Sequence, residues 1–185
     1  MRFRATILLT RALLVFALLQ VGAANASSIK PPKFIPFSFH GRLGGLTVTT
    51  GACPGFTCAP LTACLCYSAS GSRLNIKGIG PSDMTFNLNV NMTNTFPTGV
   101  GGTFFGGEGS GTIIPNGDSA NLINWSFGGL NLCHTQSNIL LGKVAAALDG
   151  GMGANQTIEG IADLAVLIST IEDHIDMELD GNYSH

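Results

Sequence analysis

Cys53, Cys58, Cys64 and Cys66 crowd the stretch CPGFTCAPLTACLC, and Cys133 lies far downstream. Thiols this dense can bind a metal, cycle between redox states or form disulfide staples. The spacing C-x4-C-x5-C-x-C lacks the paired C-x2-4-C knuckles of structural zinc sites. His40 and His134 do not complete one. A C-x-x-C redox pair is also missing. That leaves disulfides, the default fate of clustered cysteines in an oxidising compartment. Cys64 and Cys66 flank a single residue, so on a strand they share a face. A bond between them would be strained, and each is expected to pair elsewhere. A bond from the cluster to Cys133 would close about 70–80 residues and contribute roughly 4 kcal/mol in the chain-entropy picture. The expectation is therefore a cluster that ties the early strands to the rest of the domain through Cys133. Five is an odd number, so one thiol is left over. Which one the spacing does not fix.

Other groups that could do chemistry are isolated. Gly117-Asp118-Ser119 is like the nucleophile block of SGNH lipases and esterases, but the Asp-x-x-His that supplies their base is absent. His174 and His185 stand near acids at the wrong spacing, and the tripeptide reads as the far half of a turn. DMELDGN, residues 176–182, opens like an EF-hand loop. Its twelfth position would be residue 187, beyond the sequence, so a solvated acidic strand edge is the expectation. VGGTFFGGEGSG fits no phosphate-binding pattern, and its glycines imply turns or close backbone approach. Glu108 is the only acid between Asp83 and Asp118, and one carboxylate makes no acid–base pair. Trp125, the sole tryptophan, is expected in the core. No catalytic residue, metal set or cofactor site is assigned.

The compartment follows from the first residues. Arg2, Arg4 and Arg11 precede and flank an apolar run from Ala12 to Ala24, and Ala24-Asn25-Ala26 offers small residues to a signal peptidase. That is signal-peptide anatomy, and the run is short for a membrane span. Cleavage after residue 26 removes three of nine Lys and Arg and none of the eleven acids, leaving a formal charge of −5. Beyond Lys143 no further Lys or Arg occurs, while eight acids follow. This balance excludes a nucleic-acid backbone as partner. No second long apolar run follows, so no stable membrane span is expected after cleavage. An extracellular protein or a small molecule remains as partner.

The 25 glycines and sparse charge suit short strands joined by tight turns. The chain divides into a signal peptide over 1–26, an extended lead-in over 27–45 and one β domain over 46–185. Phe34, Phe37 and Phe39 in the lead-in are expected to pack on the domain. The clearest strand is DMTFNLNVNMTN, where Met84, Phe86, Leu88, Val90 and Met92 alternate with Thr and Asn. The uncharged face of that strand is expected to meet water. Asn116-Gly117 predicts a two-residue hairpin between strands near 111–114 and 121–127. In the last third, Ile161, Leu164, Ile168 and Ile171 fit a helix. The alternation of Ile175, Met177 and Leu179 with acids, together with the β-branched residues, favours strands, with a turn at Asp180-Gly181. Sequential strands and short turns make an antiparallel meander, closing as a small barrel or sandwich, with a helix possible near the C-terminus.

Three stretches together carry a resemblance: CLCYSASG (64–71), GGEGSGTIIPNGDSANLINWSFGGLNLC (106–133) and GGMGANQTIEG (150–160). They are similar to a group of exported bacterial β-rich domains with a C-x-C start and a GSGTI…NGD…G…C hairpin unit. The glycine turns of that group in turn resemble those of dirigent and allene oxide cyclase barrels. The chain departs from the pattern at 153–160, which lacks an aromatic, and at Ala145–Ala147, a poor strand. The resemblance implies a fold and carries over no catalytic residue. Two functional expectations follow. The first is a non-enzymatic binding or structural module outside the cytoplasm. The second is a cofactor-free barrel enzyme or carrier for a small apolar molecule, of the dirigent or cyclase kind. A hollow interior would favour the second and a filled one the first.

Overall fold

The structure, a computed structural model, describes residues 32–58, 63–97, 103–136 and 139–185, with backbone only at 94–97, 103–104 and 134–136. The expected signal peptide and the start of the lead-in lie outside the described residues. Eight strands follow one another around a closed barrel: β1 (Ile35–Thr50), β2 (Cys64–Ile76), β3 (Gly80–Pro97), β4 (Thr103–Pro115), β5 (Ile123–Gln136), β6 (Ile139–Gly151), β7 (Glu159–Ser169) and β8 (His174–Ser184). Every pairing is antiparallel, and β1 against β8 closes the ring from Ile35↔Tyr183 to Gly44↔His174. Closure leaves no open sheet edge.

Several sequence expectations need correction. The lead-in is barrel from Ile35 onward, because Phe37, Phe39 and Leu43 alternate inward along β1. Phe34 lies just before that strand and is 63% exposed, so it does not pack. The last third holds strands and no α-helix: the described residues contain only two 3-10 turns, 119–121 and 153–155. Ala145–Ala147 lies within β6, where Ala146 faces the core. Asp180-Gly181 is mid-strand rather than a turn. A side chain at Gly181 would meet the Ile161 carbonyl of β7 at 2.2 Å, so the glycine permits close backbone approach. Asn116 and Gly117 do take positive φ, 54° and 71°, as a turn of that hand requires. Strand pairing resumes only at Ile113↔Ile123, after Asp118 caps the 3-10 turn through a 3.0 Å bond from the Ala120 N–H. The connection is therefore longer than the two residues expected.

Inside the barrel, period-two alternation delivers one apolar side chain per pair of residues. The strands from β2 to β5 contribute aromatics. Phe86, Trp125 and Phe127 have ring centroids 5.8–5.9 Å apart. Room for them comes from β4, where Gly109 stands opposite Phe127 and Gly111 opposite Trp125. A Cβ at Gly111 would lie 2.1 Å from the Thr85 carbonyl and 2.5 Å from the Trp125 ring. Large rings over cross-strand glycines are a recurrent way to fill a narrow barrel. In the other half β6 and β7 are aliphatic, with Leu148, Leu164, Val166 and Ile168, while β1 and β8 add Phe37, Phe39 and Tyr183 beside Leu179. Phe86, Leu88, Leu130, Ile168, Ile175 and Leu179 have no surface that water reaches. A void of ligand size beside them would expose them from within, so among the described residues the interior around them is packed with side chains. No helix among the described residues is long and apolar enough to cross a membrane. The barrel interior is apolar, whereas the interior of a transmembrane barrel is polar.

Candidate functional site

The cysteines form two local staples. Cys53 bonds to Cys66 and Cys58 to Cys64, at sequence separations of 13 and 6. None reaches Cys133, whose thiol is free and half-buried on β5, so the expected long-range tie is replaced by a strap. Cys64 and Cys66 share the outer face of β2, as their spacing requires, and each pairs into the 51–63 segment. Its described residues, 51–58 and 63, lie outside β2 and β3. Its Cys53 N–H reaches the Asn89 Oδ1 at 3.4 Å, and its Ala63 N–H reaches the Thr93 Oγ1 at 3.0 Å.

The uncharged face of β3 consequently meets protein more than water. Asn89 is only 5% exposed beneath the strap. Asn87 accepts a 2.9 Å bond from Ser68, and Thr85 and Thr112 pair at 2.8 Å. These groups satisfy one another. Trp125 is core, at 1% exposure, and its indole N–H is the one buried side-chain polar atom without a partner among the described residues. Glu108 is exposed on β4. Ser119 opens the 3-10 turn capped by Asp118, which explains Gly-Asp-Ser as turn chemistry.

The acidic DMELDGN stretch belongs to β8 and, in a closed barrel, lies at no edge. Asp176, Glu178 and Asp180 point outward between β7 and β1. Here sequence reasoning missed an arrangement that spans strands. Asp176 accepts a 2.9 Å bond from Arg42 Nε, with a second contact to Nη2 at 3.5 Å. Asp180 meets His40 Nε2 at 2.8 Å. His174 is buried at the β7–β8 turn, with Nδ1 3.1 Å from the Glu172 carbonyl and Nε2 3.2 Å from Asp176. Ser169 stands opposite His174 in the ladder, which gathers Ser, His and Asp at one place. It is not a nucleophile set. Both ring nitrogens face oxygen acceptors, and the Ser169 Oγ accepts the Glu172 N–H at 3.3 Å. The hydrogen bond from Arg42 holds the Asp176 carboxyl below its ordinary range, helped by His174, and Asp176 in turn raises Arg42. Burial pushes the Tyr67 and Tyr183 hydroxyls up.

These pairs wall a trough on the outside of the barrel. Its cause is side-chain size. Along β7 the outward residues are Glu159, Ile161, Asp163, Ala165 and Leu167. Ala165 sits in register between Lys143 of β6 and Glu178 of β8. A methyl group between two long side chains leaves a depression. It spans two adjoining hollows of about 530 and 540 Å³ that share Lys143, Ala165 and Glu178. Leu141 and Leu167 form an apolar end, and Asp163 and Asp180 an acidic end. Lys143, Glu178 and Asp163 form no ion pair among the described residues. Among those residues no three His, Cys, Asp or Glu side chains are placed to hold a metal ion. The arrangement offers apolar contact and unspent charge, which is binding chemistry. No protein family, curated protein or solved structure matches this chain.

Proposed function

We propose that this protein is an exported, non-enzymatic binding module that presents the outer face of β6, β7, β8 and β1 to a partner. The observation that carries this reading is a barrel packed inside and furrowed outside. A carrier or cyclase-type barrel needs an apolar cavity with a convergent polar group, typically of a few hundred Å³. Among the described residues hollows of that size lie outside, where Lys143 and Glu178 form no ion pair. Export is supported by the signal-peptide anatomy of residues 1–26 and by two disulfides, which persist in oxidising compartments. Residues 1–26 are proposed to be removed.

Trp125 makes the test direct, because it is the only tryptophan and sits inside. Exported protein should begin at Ser27 on N-terminal sequencing. Titration with a long-chain fatty acid and with a polycyclic apolar dye should leave Trp125 emission unchanged. Saturable one-to-one binding that quenches or shifts that emission would overturn the reading in favour of an interior site.

A further inference from the structure

The ligand class can be read from the trough, on the premise that this face is the binding surface. Leu167 and Asp163 are four residues apart on β7, about 13 Å at strand rise. Ala165 lies midway, flanked by Lys143 on one side and Glu178 on the other. A ligand filling this space must be linear. It needs an apolar group over Leu141 and Leu167, a small group over Ala165, and a cation over Asp163. It must also offer a hydrogen-bond acceptor to Lys143 and a donor to Glu178 at the same level. An extended polypeptide meets every condition. Its side chains face one way at every second residue, and its backbone presents both N–H and C=O to each flank.

We infer that the trough docks an extended segment of a partner protein with the pattern apolar–any–small–any–basic, in one chain direction or the other. Lys143 donates to a backbone carbonyl and Glu178 accepts a backbone N–H, so the two straddle the segment. The basic side chain pairs with Asp163, which has no ion-pair partner of its own among the described residues. Arg42 and His40 are engaged with Asp176 and Asp180, which keeps the outer wall fixed and leaves the local charge in favour of a cation. Because β6, β7 and β8 are already paired on both sides, recognition proceeds through side chains and not by strand addition.

The test is a ¹H–¹⁵N titration of the folded chain, residues 27–185 with both disulfides formed. The probes are acetyl-Leu-Ser-Ala-Ser-Lys-amide, its reversed sequence, and the first peptide with norleucine replacing lysine. Maltopentaose is the fourth probe. Expected are saturable shifts at Leu141, Lys143, Asp163, Ala165 and Leu167 with one lysine peptide, at Kd near or below about 1 mM. Ala165→Arg, which fills the trough from the solvent side, should weaken binding at least about tenfold, since 1.4 kcal/mol of lost contact is tenfold. Asp163→Asn should weaken the lysine peptide about two- to fivefold and leave the norleucine peptide unchanged. Unchanged Trp125 emission certifies that each variant is folded, and Asp163→Asn serves alone if Ala165→Arg is not. Shifts elsewhere, equal affinity for lysine and norleucine peptides, or insensitivity to both substitutions would overturn the inference. Maltopentaose shifting the trough where the peptides do not would overturn the peptide class and leave the binding face standing. No shift from any probe up to about 5 mM would remove both.

Discussion

The two halves of this barrel divide the work of polar groups in opposite ways. On β2 to β5 the outward residues are largely Ser, Thr and Asn, and they close on one another: Ser68 on Asn87, Thr85 on Thr112, Asn89 on the strap. On β6 to β8 and β1 charged residues alternate with apolar ones such as Leu141, Ile161 and Leu167, and Lys143, Glu178 and Asp163 form no ion pair among the described residues. The interiors differ less, since Phe86, Trp125 and Phe127 of the first half are matched by Phe37, Phe39 and Tyr183 on β1 and β8, and only β6 and β7 are purely aliphatic. Neutral groups that satisfy each other contribute to sheet stability and offer little to a partner. Exposed charges contribute little to stability and much to recognition. The first half is therefore expected to hold the fold and the second to meet the ligand. Each prediction below is a way to break that division.

The largest effect is expected in the first half. Trp125→Ala removes a fully buried ring from between Phe86, Phe127 and Gly111, and should cost about 3–5 kcal/mol in urea or guanidinium unfolding. Set against a total of roughly 5–15 kcal/mol, that is enough to leave the variant marginal. Trp125→Phe should cost much less, about 1–2 kcal/mol, because it also removes an indole N–H with no partner. Ala165→Arg on the other half should stay within about 0.5 kcal/mol of the parent. A trough variant as damaging as Trp125→Ala would end the division.

The strap comes next. Cys53 and Cys66 close a loop with a separation of 13 residues, for which the chain-entropy relation gives about 3 kcal/mol. The shorter Cys58–Cys64 loop gives about 2 kcal/mol. Replacing each pair by serine should lower the unfolding free energy in that order. The variants should keep trough binding, because both staples lie on β2. Cys133→Ser should change stability by less than about 0.5 kcal/mol. Equal losses from the two pairs, or a large loss from Cys133→Ser, would show that the strap is not the local device described above.

What the residues disclosed, and what they hid, follows the same line. Alternation in Met84–Met92 and in Ile175–Leu179 is a local signal, and it correctly announced strands. Cys64 and Cys66, one residue apart on a strand, correctly announced a shared face and separate partners. The pairing itself was hidden, because a bond from the cluster to Cys133 and one within the strap leave the same spacing. Residues 35–45 look like a lead-in because prolines and glycines interrupt the alternation of Phe37, Phe39 and Leu43. Only β8 closing on β1 makes that stretch a strand. The trough was illegible for a stronger reason. Lys143, Ala165 and Glu178 become neighbours through register across three strands, and register is not written in any one of them. Asp163, Glu178 and Asp180 were all visible as acids, but which of them is neutralised depends on β1.

The smallest predicted effect is also the most specific to the second half. Asp176 has its carboxyl pKa lowered from the ordinary 3.8, first by the hydrogen bond from Arg42. A carboxylate more acidic in the folded chain than in the unfolded one contributes stability above the unfolded value. That contribution disappears as the pH falls through the lowered one. The pair is about half exposed, with side-chain exposures of 60% for Arg42 and 44% for Asp176, so solvent screening keeps its contribution small. Asp176→Asn should therefore cost a few tenths of a kcal/mol near neutral pH, less at high salt, and nothing measurable once the pH is well below the carboxylate range. Unfolding curves of parent and variant should converge on acidification. Curves that stay parallel would mean that Asp176 acts by packing and not by charge. A loss above about 2 kcal/mol would move this pair into the structural half, since buried pairs and not exposed ones cost that much to break.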